Sequence, residues 1–254
     1  MLPDALSAPL LGKADLHVHS TTGDGLNSAA EIIEYAERST DLDIIAITDH
    51  DEVDGALAAE ELATRRGYRV QVVPGTEVTT RHGHVLALFV RCRFPALRTL
   101  EETIEAVRIA GGICVVPHPL SWLTLSVGQR RLLQVQSRPN TDLRFDGLEV
   151  FNPTFAGRVS VQRAKALNRR VLHLAETGGS DAHSCSLVGT GYTLFPGRTP
   201  AELRLAIERR QTHGRGSYWT AGDLLGGAAE QLGRSLFVHP YRKLARAINE
   251  GVGK

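Results

Sequence analysis

The sequence predicts an α/β fold built around a parallel sheet or barrel. Three observations lead there. Apolar, β-rich runs alternate with segments of helical period along the chain. Several of those runs are continuously apolar, as "DIIAIT" at 43–48 is, which is how strands covered on both faces read. No internal repeat or low-complexity tract interrupts the alternation.

In chain order the strand candidates are Ala14–His19, Asp43–Thr48, Arg69–Val73, His84–Val90, Ile113–Pro117, Gly147–Phe151 and Val171–Glu176. Between the first two, "SAAEIIEYAERS" opens with Ser28 and Glu31 in capping-box spacing and sets Ala29, Ile32, Ile33 and Ala36 on one face. "TLEETIEAVRIAGG" repeats the device with Thr99 and Glu102 and stops at Gly111. "TPAELRLAIERR" places Pro200 at the first helical position. Residues 120–146 are longer than an ordinary connection and lie beside His118, which marks them as a candidate lid. The chain divides into a main domain over 1–219 and a helical extension over 220–254 packed on it.

Composition limits the function. With 254 residues, 42% of them hydrophobic and 22% charged, the chain can bury a full core. A net charge of +1 lacks the basic footprint that long duplex nucleic acid selects, so short phosphorylated ligands fit better. Three scattered cysteines, Cys92, Cys114 and Cys185, form no disulfide framework and point to a reducing cytoplasm. No apolar run reaches the roughly 20 residues of a membrane span, and the first twelve residues lack the basic region of a signal peptide.

The polar residues are more telling. "IIAIT" runs into "DHDE", "VQVVPG" into "TE", "ICVVP" into "HP" and "LHLAETGG" into "SDAH", so metal-capable side chains gather at the carboxyl ends of successive strands. That end is where α/β folds build their sites. The set is His17, His19, Asp24, His50, Glu77, His118, Asp181 and His183, with His84 entering across a "TTRHG" hairpin. These nine include six of the ten histidines. On a strand, residues i and i+2 share a face, so His17 and His19 can hold one cation from one side. Glu77 can bridge two cations, and imidazole with carboxylate suits manganese, zinc or iron. A lone HxH on a strand is equally read as two polar residues facing one way, and "SDAH" as a turn. Four such motifs at four strand ends favour a multinuclear site.

In this order "DLHVHS", "GDG", "ITDHD", "PGTEV", "GHVLAL", "VVPHP", "GLEVFN" and "GGSDAH" resemble the PHP family of metal-dependent phosphoesterases, from about residue 13 to residue 195. The resemblance implies a distorted (β/α)7 barrel binding two or three divalent ions. It suggests one metal on His17, His19, Glu77 and Asp181, a second on Glu77, His84 and His118, and a third on Asp24, His50 and His183. Asp24 in a "DG" context is similar to the nucleotide and oligonucleotide branch, with histidinol phosphate as the alternative substrate and a metal-stabilised, non-catalytic module as a second alternative. An amidohydrolase would need a carboxylated lysine, and neither Lys13 nor Lys165 is well placed. The implied chemistry is in-line attack on phosphorus by a metal-bridging hydroxide, with Glu77 and Asp181 at its centre. Arg158 and Asn152 resemble substrate-contacting positions; Arg81 and His82 are further substrate-side candidates. Asp15, on the same side as His17 and His19, is expected to orient an imidazole, with Asp49 in a similar supporting place. Trp122 is expected to pack in the core or lid, with stacking on a nucleobase as the alternative. His173 reads as a core histidine within the last strand.

Overall fold

The computed structural model describes residues 10–220. The predicted C-terminal helices of 220–254 thus lie outside the described residues, apart from Thr220. Ten strands and six α-helices follow one another: β1 Leu11–Val18, α1 Ala29–Ser39, β2 Ile44–Ile47, α2 Asp54–Arg66, β3 Gln71–Val72, β4 Gly75–Thr80, β5 Gly83–Leu88, α3 Leu100–Ile109, β6 Ile113–Val116, α4 Gln129–Gln136, β7 Gly147–Phe151, α5 Phe155–Leu167, β8 Ala175–Gly178, β9 Gly191–Pro196, α6 Pro200–Glu208 and β10 His213–Gly216.

The fold is mixed α/β with two five-stranded sheets, ordered β10-β9-β1-β2-β3 and β4-β5-β6-β7-β8. β1, β2 and β3 pair in parallel, as do β6, β7 and β8. The expected seven-stranded barrel is not what the pairing forms: no closed barrel runs through the described strands. The physical reason is local. The tight turn at Arg81–His82 sends β5 back antiparallel to β4, and β9 returns antiparallel to β1 with β10 beside it.

The two sheets share an interior of Ala14, Leu16, Ile44, Ala46, Leu86, Leu88, Val115, Ala175 and Phe195. Alternate residues on the same strands face outward onto helices, Ile45 and Ile47 against the α1 and α2 side, Cys114 and Val116 against the α3 and α4 side. Isolated parallel bridges, Val18 with Ala182 and His50 with Glu77, link the first sheet to the second. Both joints lie at strand ends, among the residues singled out as metal-capable.

The helices form where the caps place them. Ser28 and Thr99 accept from the N–H of Glu31 and Glu102, and both boxes close reciprocally. Thr199 and Glu202 complete a third box behind Pro200. Two expectations fail. Val171–Glu176 is not one strand, since Asn168–Leu172 form a π-helical turn that ends at an exposed His173 in the left-handed region, φ 51°, and β8 starts only at Ala175. Residues 120–146 are not a lid as a whole: α4 buries Leu132 and Val135 in the cluster that holds Phe145 and Leu148. Only the stretch before α4 stays a loop beside His118.

Leu132→Ala is therefore expected to lower the unfolding free energy by about 2–5 kcal/mol, as for other buried leucines. Chemical denaturation checks this; a loss under about 0.5 kcal/mol, the surface range, would return α4 to the lid.

Candidate metal centre

All nine residues singled out from the sequence meet in one place. His17 and His19 come from the end of β1 and its loop, Asp24 from the turn after it, and His50 from the end of β2. Glu77 stands on β4, His84 on β5, His118 after β6, and Asp181 and His183 after β8. Seven of the nine are buried, and His50 and His84 are half-buried.

Glu77 is the hub. Its Oε1 is 2.9 Å from His84 Nδ1 and 3.1 Å from His118 Nε2. Its Oε2 is 3.2 Å from His17 Nε2 and 3.3 Å from both His19 Nε2 and His50 Nδ1. Asp181 Oδ1 lies 3.5 Å from His17 Nε2 and 3.3 Å from His19 Nε2, while Asp24 Oδ1 lies 3.4 Å from His183 Nε2. Metal-capable atoms converge as His17–His19–Glu77, His17–His118–Asp181, His50–Glu77–His84 and His19–Asp24–His183. Against the ligand sets implied by the family resemblance, the geometry differs in three respects, the first being that His118 also gathers with His17 and Asp181. His50 gathers with Glu77 and His84, and His19 joins Asp24 and His183.

The electrostatics suit cations. Burial pushes the Glu77 carboxyl up, but the imidazoles of His84, His50, His17 and His118 outweigh it and hold it well below the ordinary range. Asp181 and Asp24 are likewise held low against burial, the first beside His17 and His19, the second beside His183. Burial pushes His50 down to about 3, so its ring is a neutral donor near neutral pH. Both ring nitrogens of the buried His19 lack a hydrogen bond, although Nε2 stands 3.3 Å from two carboxylates. A buried imidazole nitrogen facing two carboxylates is the arrangement a divalent cation resolves. The residues present therefore fit a bound metal cluster.

Around this centre lies a second layer, and the sequence reading missed its main member. Glu149, buried in β7, places Oε1 3.2 Å from His17 Nδ1. Its Oε2 accepts from the His118 N–H at 2.7 Å and from Asn152 Nδ2 at 2.9 Å. A carboxylate at Nδ1 fixes the proton there and turns the Nε2 lone pair inward. Gly179 makes room for it, because a Cβ there would lie 2.5 Å from His17 Cβ and 2.8 Å from Glu149 Oε1. The signal was present as the one acid inside the apolar run "GLEVF". Ser126 Oγ, 2.9 Å from His118 Nδ1, serves His118 in the same way.

The role expected of Asp15 changes. Asp15 touches no imidazole. Its Oδ1 accepts from the Ser180 N–H at 2.9 Å and its Oδ2 from the Gly189 N–H at 2.8 Å, so it clamps the loop that carries Asp181 and His183. Asp49 accepts from the N–H groups of Ser20 and Gly23 at 2.6 and 3.2 Å, and holds the turn that presents Asp24. Asn152 donates to Glu149 and, at 3.3 Å, to Asp181 Oδ2, while its oxygen accepts from Thr154. That is a positioning role, with both ends of the amide occupied. Arg158 is exposed at the start of α5 with its guanidinium 4.9 Å from the Tyr218 ring centre. Arg81 donates to the Leu97 carbonyl at 2.7 Å, and the half-buried His82 takes its place in the β4–β5 turn. Lys13 pairs with Asp41, away from any ligand role. Among the described residues no helix is long and apolar enough to cross a membrane.

Comparison with known proteins follows the same lines. Residues 162–212 match the family model described as PHP-associated. Over 151 residues, 55% of this chain and 81% of the relative, the chain is 32% identical to the uncharacterized protein MJ1587 of Methanocaldococcus jannaschii. It is 41% identical over 92 residues to a phosphoribosyl 1,2-cyclic phosphate 1,2-diphosphodiesterase of Eggerthella lenta, and 33% identical over 88 residues to the 5'-3' exoribonuclease Rnm of Salmonella typhimurium. Those two matches take in 34% and 33% of this chain and only 34% and 30% of the relatives' lengths. Among solved structures, a two-domain Bacteroides vulgatus protein containing a predicted PHP-like metal-dependent phosphoesterase superposes with a TM-score of 0.65 at 20% identity. It covers 82% of this chain and 66% of that one, which shows the shared fold.

Two substitutions separate the second-layer roles. Glu149→Gln is expected to weaken metal affinity by about 10–100-fold, read by calorimetric titration of the metal-free protein with manganese. Asp15→Asn is expected to lower Tm, through the lost backbone acceptor, with the number of metals bound per chain retained.

Proposed function

The chain belongs to the PHP family, and on that premise we propose that it is a metal-dependent phosphoesterase acting on nucleotides or short oligonucleotides. The observation that carries this reading is the single carboxylate of Glu77, shared among five imidazoles, with Asp181 and Asp24 flanking it. We assign His17, His19, Asp24, His50, Glu77, His84, His118, Asp181 and His183 as the ligands of two or three divalent ions. When bound, such ions lower the pKa of water, align it for in-line displacement at phosphorus and neutralise charge on the phosphoryl oxygens.

What the chain contributes is preorganisation. Glu77 offers one oxygen to each side of the centre, so neighbouring ions would share an anionic bridge. Glu149 keeps His17 and His118 aimed, and Asp49 keeps the Asp24 turn in place. His82 and Arg81 in the β4–β5 turn are the candidate leaving-group donors; without them, expulsion of the alkoxide would rest on electrostatic stabilisation. The Salmonella exoribonuclease and the Eggerthella diphosphodiesterase both break phosphodiester bonds to ribose, which supports a ribose-borne phosphate as the reacting group. A net charge of +1 favours a mononucleotide or a short strand over an extended one, which normally tracks a basic groove.

The test is a manganese-supplemented assay of AMP, adenosine 3',5'-bisphosphate, histidinol phosphate and a short 5'-phosphorylated RNA. Turnover is expected on a nucleotide or on the RNA. His17→Ala and Glu77→Gln should lower it by more than the roughly 100-fold that outer partners of a metal site cost, and chelation should abolish it. Rates on all four substrates equal to those of His17→Ala would sink the reading.

A further inference from the structure

The chain carries two tryptophans. Trp219 is partly buried and donates from its indole to Thr190 Oγ1 at 3.0 Å. Trp122 instead is 75% exposed, which removes it from the core, one of the placements expected of it. Leu123 and Leu125 beside it are 40% and 48% exposed, and what sets this segment apart is its attachment.

Trp122 sits on a short tongue between His118 and Val127 that is rooted on the metal centre. Ser126 Oγ donates to the His118 carbonyl at 2.9 Å and stands at the same distance from its Nδ1, with Thr124 Oγ1 3.2 Å from that nitrogen. The His84 N–H donates to the Leu125 carbonyl at 2.9 Å, and Leu120 N–H to the Val127 carbonyl at 3.2 Å. Two assigned ligands thus hold the tongue at its base. Gly83, at φ 130°, permits the approach, since a Cβ there would lie 2.3 Å from Val127 N. The backbone leaves β6 through two left-handed residues, His118 at φ 29° and Leu120 at φ 62°, a conformation side chains disfavour and folds retain at working sites. Two residues of chain span at most about 7 Å, so Trp122 stands within that reach of Thr124, whose hydroxyl contacts His118.

A planar π-face carried on a loop anchored to two ligands of a phosphate-processing centre has a fitting partner in a nucleobase, whose own face is flat, apolar and one sugar away from the phosphate. We propose that Trp122 is the stacking platform for the base of a nucleoside phosphate bound at the metal centre, and that it sets the preference for base-bearing esters over bare sugar phosphates. The proposal rests on the phosphoesterase reading and names the substrate class of that same site.

The experiment compares AMP with ribose 5-phosphate, which carries the same ester without the base, in the manganese-loaded wild type, Trp122→Ala and Trp122→Phe. The ratio of kcat/KM for AMP to that for ribose 5-phosphate is expected to fall about tenfold or more in Trp122→Ala, chiefly through KM for AMP, and to be largely restored in Trp122→Phe. Independently of turnover, AMP should quench the wild-type indole fluorescence. Ribose 5-phosphate should not, and the quench should vanish in Trp122→Ala, where Trp219 alone remains. An unchanged ratio, or equal losses on both esters, overturns the proposal. So does self-association of the wild type, seen by analytical ultracentrifugation and lost in Trp122→Ala, because the tongue would then be an interface between copies. If the wild type hydrolyses neither ester, the phosphoesterase reading is decided by the bisphosphate and RNA assays above, and the stacking proposal by the fluorescence. A Trp122-dependent AMP quench would still uphold base stacking, and its absence would overturn it.

Discussion

The position of Glu77 is the constraint on which the rest depends. Its side chain is buried and ionised, and its backbone is also structural: the Glu77 N–H reaches the carbonyls of Thr48 and Asp49 at 3.2 Å, and its own carbonyl accepts from Asp51 N–H at 3.0 Å. The bridge between His50 and Glu77 joins the first sheet to the second. One residue therefore fixes both the seam of the fold and the centre of the ligand cluster. Burying a carboxylate without partners is strongly unfavourable. The five imidazoles around it are as much a condition for folding as for binding, and the seam cannot move without moving the ligands.

Much of the architecture was legible because its signals are local. Capping boxes at Ser28 and Thr99 name helix starts from four residues each, and the structure closes both. Gly147–Phe151 is a strand with the predicted bounds. The failures occur where neighbours decide. "VLHLAE" has strand composition, but Asn168 donates to and accepts from Leu174 and wraps the preceding segment into a π turn. β4, β9 and β10 escaped because "GTEVTT", "GYTLFP" and "HGRG" carry too few apolar residues to read as strands alone. They are held by pairing with apolar partners such as Leu86 and Ala14. Their antiparallel directions turn the expected barrel into two mixed sheets.

The site was legible for a different reason. Ligands that end apolar strands stand out from their context, and all nine converge. Supporting residues do not stand out, since their task is defined by what lies opposite. Period-2 alternation placed Asp15 beside His17 in sequence, but it says nothing about the loop at Ser180 and Gly189 that Asp15 accepts from. Glu149 looked like one polar residue in an alternating strand, though it reaches His17, His118 and, through Asn152, Asp181. Arg158 has the right chemistry for phosphate, and its exposed guanidinium lies 4.9 Å from the Tyr218 ring centre.

The second layer also explains how strain persists at the centre. His118 and Asp181 both have positive φ, 29° and 53°, in residues that carry a Cβ. Such conformations cost on the order of 1–3 kcal/mol each and survive only where other bonds over-determine them. Here the His118 N–H is held by Glu149, and the Asp181 N–H by the His17 carbonyl at 2.8 Å. Asp181 is thus tied to the strand that carries His17, and His118 to the carboxylate that also meets His17 Nδ1, so the bonds that orient the donors also hold the backbone bent. A centre constrained in this way has little freedom to adapt to its substrate. Adaptation is left to the exposed segments around it, and among these the Trp122 tongue is joined directly to two of the ligands.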